Sequence, residues 1–253
     1  ERRMLTALPT TLAKRTAMPR FKEKLPVIPQ DKWTDFSMLD FVKHRPIDQK
    51  SSSACVGHGG TSGSEIVCRY NWNRDLALSP WFHYAQINGG RDEGAMVGDS
   101  IKSLVEDGVC LDSEVPSGEY RNSRISDTAR ASAKLYRMEA YYWSPSFEEG
   151  VSSVLRGDPW VFGVDIGSNF EPGSDGIVPP YRRGRGYAGH CMFACGVLFI
   201  NGVPYLIVPN SWGINFGKNG FCYMERSYFD GGDNYSIVAP KMDPLNPPPV
   251  AKE

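Results

Sequence analysis

The sequence predicts an α+β chain of two lobes, helix-rich in its first half and strand-rich in its second. Three observations carry this expectation. Helix start and stop signals, with apolar residues at helical spacing, crowd the stretch from Cys55 to Gly108. Apolar runs of strand length crowd the stretch from Pro159 to Met224, one pair of them separated by Asn201-Gly202. A length of 253 residues is enough for two lobes that share a cleft.

Composition narrows the function classes. Hydrophobic content is 41% and charged content 23%, so the chain can bury a core. Net charge is −1, from 28 basic and 29 acidic residues, which argues against a nucleic-acid binder driven by phosphate contacts. No apolar run is long enough for a membrane-crossing helix. Residues 1–32 form a basic N-terminal arm with Pro9, Pro19, Pro26 and Pro29 as breakers, expected to pack poorly. The arm has no apolar core of the kind a secretory signal needs, which favours a cytoplasmic or virion-associated protein. The first residue is Glu1, so an upstream piece has been removed or the chain is cut from a longer one.

Six cysteines are scattered, and no two form a CxxC pair. Cys191 and Cys195 lie about 13 Å apart if their strand is straight, too far to bridge. Most of these thiols are expected to be reduced core residues.

In chain order, Trp33 to Val42 is the first packed piece. Pro46 and the Ser51–Ser53 run keep helix from forming before Cys55. A helix then runs from Cys55 to about Asn73. Gly57, Gly59, Gly60 and Gly63 each lower its propensity by up to ~1 kcal/mol against alanine. They make sense if other backbone packs closely on that helix. Ser79-Pro80 caps a second helix to about Ile87. Val97, Ile101, Leu104 and Val105 share one face of a third, stopped by Gly108. Residues 112–126 read as a loop and Leu135 to Trp143 as a strand. Ser146 and Glu149 make a capping box for a helix ending at Gly157. Pro159 to Ile166 is a strand, and residues 167–188 are a long loop of a kind that is often functional. Cys191 to Ile200 and Val203 to Val208 form a hairpin on a type I′ turn. Phe221 to Met224 gives another strand, and residues 241–253 are a proline-rich tail.

His190 and Asn210 sit at the two outer ends of that hairpin, so antiparallel pairing brings them together. A histidine held by an asparagine is kept in one tautomer, as a general base must be. Cys55 opens a helix, where the dipole favours a thiolate. His190 follows about 135 residues later and Asn210 about 155, an order and spacing expected of a Cys–His–Asn thiol site. Gln49, six residues before Cys55, places an amide donor where it and the Cys55 N–H can share one oxygen.

On these residues the chain resembles the papain-like cysteine peptidases. Asn210-Ser211-Trp212-Gly213 with Gly217 and Gly220-Phe221, GHCMFACGV at the histidine and DQKSSSAC at the thiol are similar to that family's motifs. SPWFHYAQINGG, DEGAMVGDSIKSLVEDGVC and DPWVFGVDI look like successive blocks of its bacterial and phage subgroup. The likeness covers about residues 40–230. It departs at Ser52, where the family has a cysteine, and at Val56, where it has tryptophan. The long inhibitory propeptide has no counterpart here. The resemblance implies a two-lobed papain-like fold over residues 33–240, helical over about 50–132 and β-rich over about 133–240, with the active-site cleft between.

It further implies a peptide-bond hydrolase working through an acyl-enzyme intermediate, without a metal or other cofactor, on a polypeptide substrate. Cys55 is then the nucleophile, His190 its base and acid, Asn210 the orienting residue, and Gln49 an oxyanion donor. Trp212 covers the His–Asn bond, and Gly94-Ala95 lends backbone to extended substrate. Arg182, Arg183 and Arg185 are a solvated loop or select acidic substrate. His58 lacks the further ligands a zinc site needs. His44 and His83 read as surface or helix residues. Two other classes stay open. One is a papain-fold binding or assembly module of a phage particle or larger polypeptide, engaging a partner through residues 1–32 and 241–253. The other is acyl transfer to an amine, which generally uses aspartate where this chain has Asn210.

Overall fold

A computed structural model describes residues 4–42, 47–186 and 188–230, and the backbone of 235–238. Strand β1 (Ala7–Leu8) and helices α1 (Leu12–Thr16) and α2 (Phe21–Lys24) belong to the N-terminal arm, followed by β2 (Phe36–Ser37). Helix α3 (Cys55–Trp72) is the central helix, and α4 (Pro80–Ile87), β3 (Ala95–Met96), α5 (Val97–Glu106) and α6 (Asp127–Ala133) complete the helical lobe. Strand β4 (Tyr142–Trp143), α7 (Phe147–Leu155), β5 (Trp160–Asp165), β6 (Gly189–Ala194), β7 (Gly196–Ile200), β8 (Val203–Pro209), β9 (Phe221–Glu225), α8 (Ser227–Asp230) and β10 (Tyr235–Val238) follow. Two four-stranded antiparallel sheets result, in the orders β4-β10-β5-β6 and β2-β7-β8-β9. The chain is thus α+β, helices first and antiparallel sheets second.

Local chemistry explains the helix ends. The Ser79 hydroxyl accepts from Phe82 N–H with Pro80 in the first turn, and the Ser146–Glu149 capping box closes in both directions. Helix α3 ends at Asn73, whose left-handed conformation (φ 51°) sends its N–H back to Cys68 and Arg69 carbonyls. Gly57 meets the backbone of α4: a Cβ there would lie 2.6 Å from Pro80 O. Close approach of other backbone explains Gly57, whereas Gly59, Gly60 and Gly63 make room first for the side chains of Cys191, Ser100 and Val161.

Three expectations change. Only Tyr142–Trp143 of the stretch 135–143 is strand. Val109 N–H donates to Tyr136 O, and Met138 N–H donates to Leu104 O. These residues therefore cover the end of α5 instead of pairing in a sheet. Two short 3-10 turns, Asp112–Glu114 and Asn122–Arg124, occupy the expected loop. The run Cys191 to Ile200 is two strands in two sheets. The break falls at Cys195, whose N–H donates to Ile207 O (2.9 Å). Strand β6 pairs with β5, and only β7 forms the hairpin with β8 across Asn201-Gly202, both at positive φ. His190 and Asn210 still meet, because β6 packs beside the end of β8.

All six cysteines are buried and unbridged. His83 is fully buried and bonded to Ser100 Oγ (2.8 Å), so it is a core residue, not a surface one. His44 and the tail 241–253 lie outside the described residues. No described helix is long and apolar enough to cross a membrane.

The arm is packed, contrary to its composition. Ala7, Thr10 and Phe21 are buried. Thr10 Oγ1 accepts from Gly98 N–H (3.1 Å), and Lys14 reaches Asp99 (2.6 Å) at the start of α5. Farther on, Ile28 N–H donates to Ser152 Oγ (2.8 Å) of α7, and the Arg156 guanidinium donates to Pro26 O (2.7 Å). Proline breaks the arm into short pieces, and each piece finds its polar partners on the body of the protein.

Candidate active site

The site is built where the N-terminus of α3 faces β6. Cys55 is the first residue of α3 and is fully buried. Burial pushes its thiol pKa up, against hydrogen bonds from Cys191, Thr6 and Val56 that favour the thiolate. Cys191 adjoins His190 in β6, so the thiol lies one residue from the imidazole along that strand. His190 is also fully buried, and burial pulls its pKa down to about 4, opposed by the Asn210 bond. Both shifts point to an uncharged thiol and an uncharged imidazole at neutral pH.

One network ties together three of the four predicted catalytic residues. His190 Nε2–H donates to Asn210 Oδ1 (2.8 Å), which also accepts from Ser211 N–H (2.7 Å). An amide oxygen can only accept, so the shared proton sits on Nε2 and His190 Nδ1 is left bare, as a base for the thiol needs. Ser211 Oγ–H donates to Gln49 Oε1 (2.6 Å), and Gln49 N–H donates to Ser211 O (2.9 Å). Gln49 Nε2 in turn donates to Ser52 O (2.9 Å), on the segment leading into Cys55. Trp212 stacks on His190 with ring centroids 4.6 Å apart and planes 24° from parallel, and Phe170 and Phe216 pack on its edges. Trp212 thus lies over the imidazole of the His–Asn pair.

The expected thiol–imidazole hydrogen bond is not formed. His190 Nδ1 has no hydrogen-bond partner among the described residues. Thr6 of the arm lies beside the thiol, its backbone favouring the thiolate, and its Oγ1–H donates to Ser53 O (3.1 Å). Next to it, Ala7 and Leu8 of β1 pair in parallel with Ala95 and Met96 of β3. The arm therefore lies on the backbone expected to hold substrate. Gly94 is at φ +94°, and a Cβ there would fall 1.9 Å from Thr6 O, so only glycine admits the arm this closely. Its N–H is taken by Tyr84 Oη (3.0 Å), which leaves the pairing to Ala95 and Met96. Asp92 links this edge to the thiol segment, accepting from Tyr84 Oη–H (2.9 Å) and from Ser53 N–H (2.8 Å).

Sequence reasoning missed Thr6, Tyr84 and Asp92, which carry no motif of their own. Ser211 was visible inside NSWG but not its bridge to Gln49. Arg182, Arg183 and Arg185 are exposed in the loop before β6. No group of three or more histidine, cysteine, aspartate or glutamate side chains among the described residues is placed to hold a metal ion.

Known proteins share this framework. The chain is 26% identical over 165 residues to a gut-specific cysteine proteinase of Caenorhabditis elegans, covering 65% of this chain and 50% of that protein. It is 24% identical over 223 residues to the viral cathepsin of Orgyia pseudotsugata multicapsid polyhedrosis virus, covering 82% and 62%. The chain thus spans between 29% and 62% of the length of these and similar curated relatives. Among solved structures it superposes on xylellain, a cysteine protease from Xylella fastidiosa. The TM-score is 0.67 and identity 20%, over 96% of this chain and 99% of that one. Digestive procathepsin L 3 of Tenebrio molitor gives a TM-score of 0.67 at 16% identity, over 93% and 76%. These likenesses fix the fold as papain-like. Residues 83–239, more than half of the chain and inclusive of His190 and Asn210, match the sequence pattern of the papain family cysteine proteases. With that match, on that fold, the chain belongs to the papain family.

Proposed function

We propose that the chain is a cysteine peptidase that cleaves extended polypeptide through an acyl-enzyme. The observation that carries this is the network His190–Asn210–Ser211–Gln49 closing on the helix start at Cys55. His190 Nδ1 takes the thiol proton, and the Cys55 sulfur attacks the scissile carbonyl carbon. The carbonyl oxygen becomes an oxyanion held by the Cys55 N–H and Gln49 Nε2. The imidazolium gives its proton to the leaving amine, and water releases the acyl group by the same steps reversed. The backbone at Ala95 and Met96, beside Gly94, receives the substrate strand. No metal or cofactor enters any of these steps. The layout shared with xylellain along nearly its whole length supports a bacterial or phage subgroup.

Residues 4–32 act as a built-in cover for this site. Thr6 lies beside the thiol, and β1 takes the place of substrate on β3. In the full chain, an epoxysuccinyl probe is expected to label Cys55 slowly and Cys55→Ala not at all, with peptide turnover lost in the same variant. Labelling of another cysteine, or turnover that survives Cys55→Ala, overturns the assignment. Ala7→Arg puts a long cation at a buried position (2% exposed) and should lift the arm. Labelling should then speed up at least about tenfold, or about 1.4 kcal/mol, the low end of an overpacking cost.

A further inference from the structure

His58 lies one turn beyond Cys55 on α3 and is 6% exposed, with its Nε2 buried and bonded to nothing among the described residues. Asn210 Nδ2 is in the same condition, although Asn210 Oδ1 carries two hydrogen bonds. Both residues line one small cavity of about 10 Å³, walled also by Ile47, Gly59, Met192 and Pro209. That volume is the smallest that holds a single water molecule, and two of the residues lining it carry orphaned polar atoms, which is what a buried water needs. His58 also borders a larger pocket of about 220 Å³, with Asp48, Glu65 and Asp112. Trp81 meets the His58 ring edge to face at 5.4 Å and fixes its plane.

We infer that His58 holds the Asn210 side chain through one buried water and so acts as a positioning residue for the His190–Asn210 pair. The water accepts from Asn210 Nδ2–H and donates to the bare Nε2 of a neutral His58. Burial keeps that ring neutral, pulling its pKa down to about 4 against the nearby Asp48. The Asn210 amide is then anchored at both ends, by Ser211 N–H on its oxygen and by the water on its nitrogen. Without the second anchor the amide can turn over and present Nδ2 to His190. The imidazole would then carry its proton on Nδ1, facing the thiol, where it cannot act as base. The kinetic consequence rests on the peptidase reading; the hydrogen-bonding consequence does not.

Two variants test this in the full chain. His58→Gln keeps a polar end at the cavity, whereas His58→Phe fills the space without one. Nitrogen-15 spectra should show His190 as the Nε2–H tautomer in wild type and His58→Gln, and as a mixture in His58→Phe. A crystal structure of the wild type should hold one water within hydrogen-bond distance of both atoms. Peptide turnover in His58→Phe should fall about tenfold in kcat with KM within about twofold, and His58→Gln should restore most of it. A dry cavity overturns the inference. So does an unchanged tautomer in His58→Phe, or equal damage in the two variants. If neither the wild type nor Ala7→Arg turns over peptide, the peptidase reading fails, and the tautomer measurement still decides the role of His58.

Discussion

Gln49 has two ends with different duties. Its Oε1 accepts the Ser211 hydroxyl, which fixes the amide so that Nε2 points toward the segment before Cys55. Gln49→Ala is expected to lower kcat by about 10²–10³, the usual effect of one oxyanion donor, with KM little changed. A fall of less than threefold would argue against that role. The same change strips the buried Ser211 hydroxyl of its acceptor, so a lower melting temperature should accompany it. Cys55, His190, Asn210 and Gln49 were all legible as residue types at characteristic spacings. Thr6, Asp92 and His58 were not. Each is an ordinary polar residue whose importance comes from what stands opposite it, and no spacing announces that.

At the scale of elements, α3 shows the trade between local propensity and packing. Alanine is the better helix former at position 57 by about 1 kcal/mol. Its methyl would nevertheless sit 2.6 Å from Pro80 O and 2.8 Å from Tyr84 Cβ, both fixed in α4. Gly57→Ala should therefore destabilise the chain, by a net of about 1–3 kcal/mol in denaturant unfolding. An unchanged or higher midpoint would mean that α4 yields easily. The capped helices were readable because their stop and start signals are local. The stretch 135–143 misled because an alternating apolar run fits a strand or a surface laid over a helix end equally well. The sheet switch at Cys195 was hidden for a related reason. Unbroken hydrophobicity says that a segment is buried, not which sheet buries it.

At the scale of the whole molecule, three histidines are buried in the uncharged form. Burial pulls His58 and His190 down to about 4 and His83 to about 3. The unfolded chain takes up their protons near pH 6.5, so their contribution to stability is complete above that value and lost as pH falls from 6.5 through 4. Glu65 works the other way. Burial raises it to about 8, so its contribution is complete below about 4.5 and lost as pH rises through 8. Three groups outweigh one between these limits, and the melting temperature at pH 5 should lie below that at pH 7. His83→Asn should flatten that dependence. An equal melting temperature at both values would show that these histidines protonate without cost.

The sequence by itself determined the α+β class, the helix that opens at Cys55 and the type I′ turn at Asn201-Gly202, and it supplied the candidates proposed for a Cys–His–Asn set. Each of these rests on local propensity or on a short pattern of residue types. Tertiary structure alone decided how the set is wired and what state it is in. The Ser211 bridge to Gln49 and the neutral, separated thiol and imidazole depend on contacts between segments far apart in the chain. So does the seat of the arm on β3. Composition described residues 1–32 as basic, proline-broken and free. The cleft gives that arm a glycine it can approach, a strand it can pair with and a thiol it can lie beside. Those partners lie 50 to 90 residues away, and only the fold brings them to it.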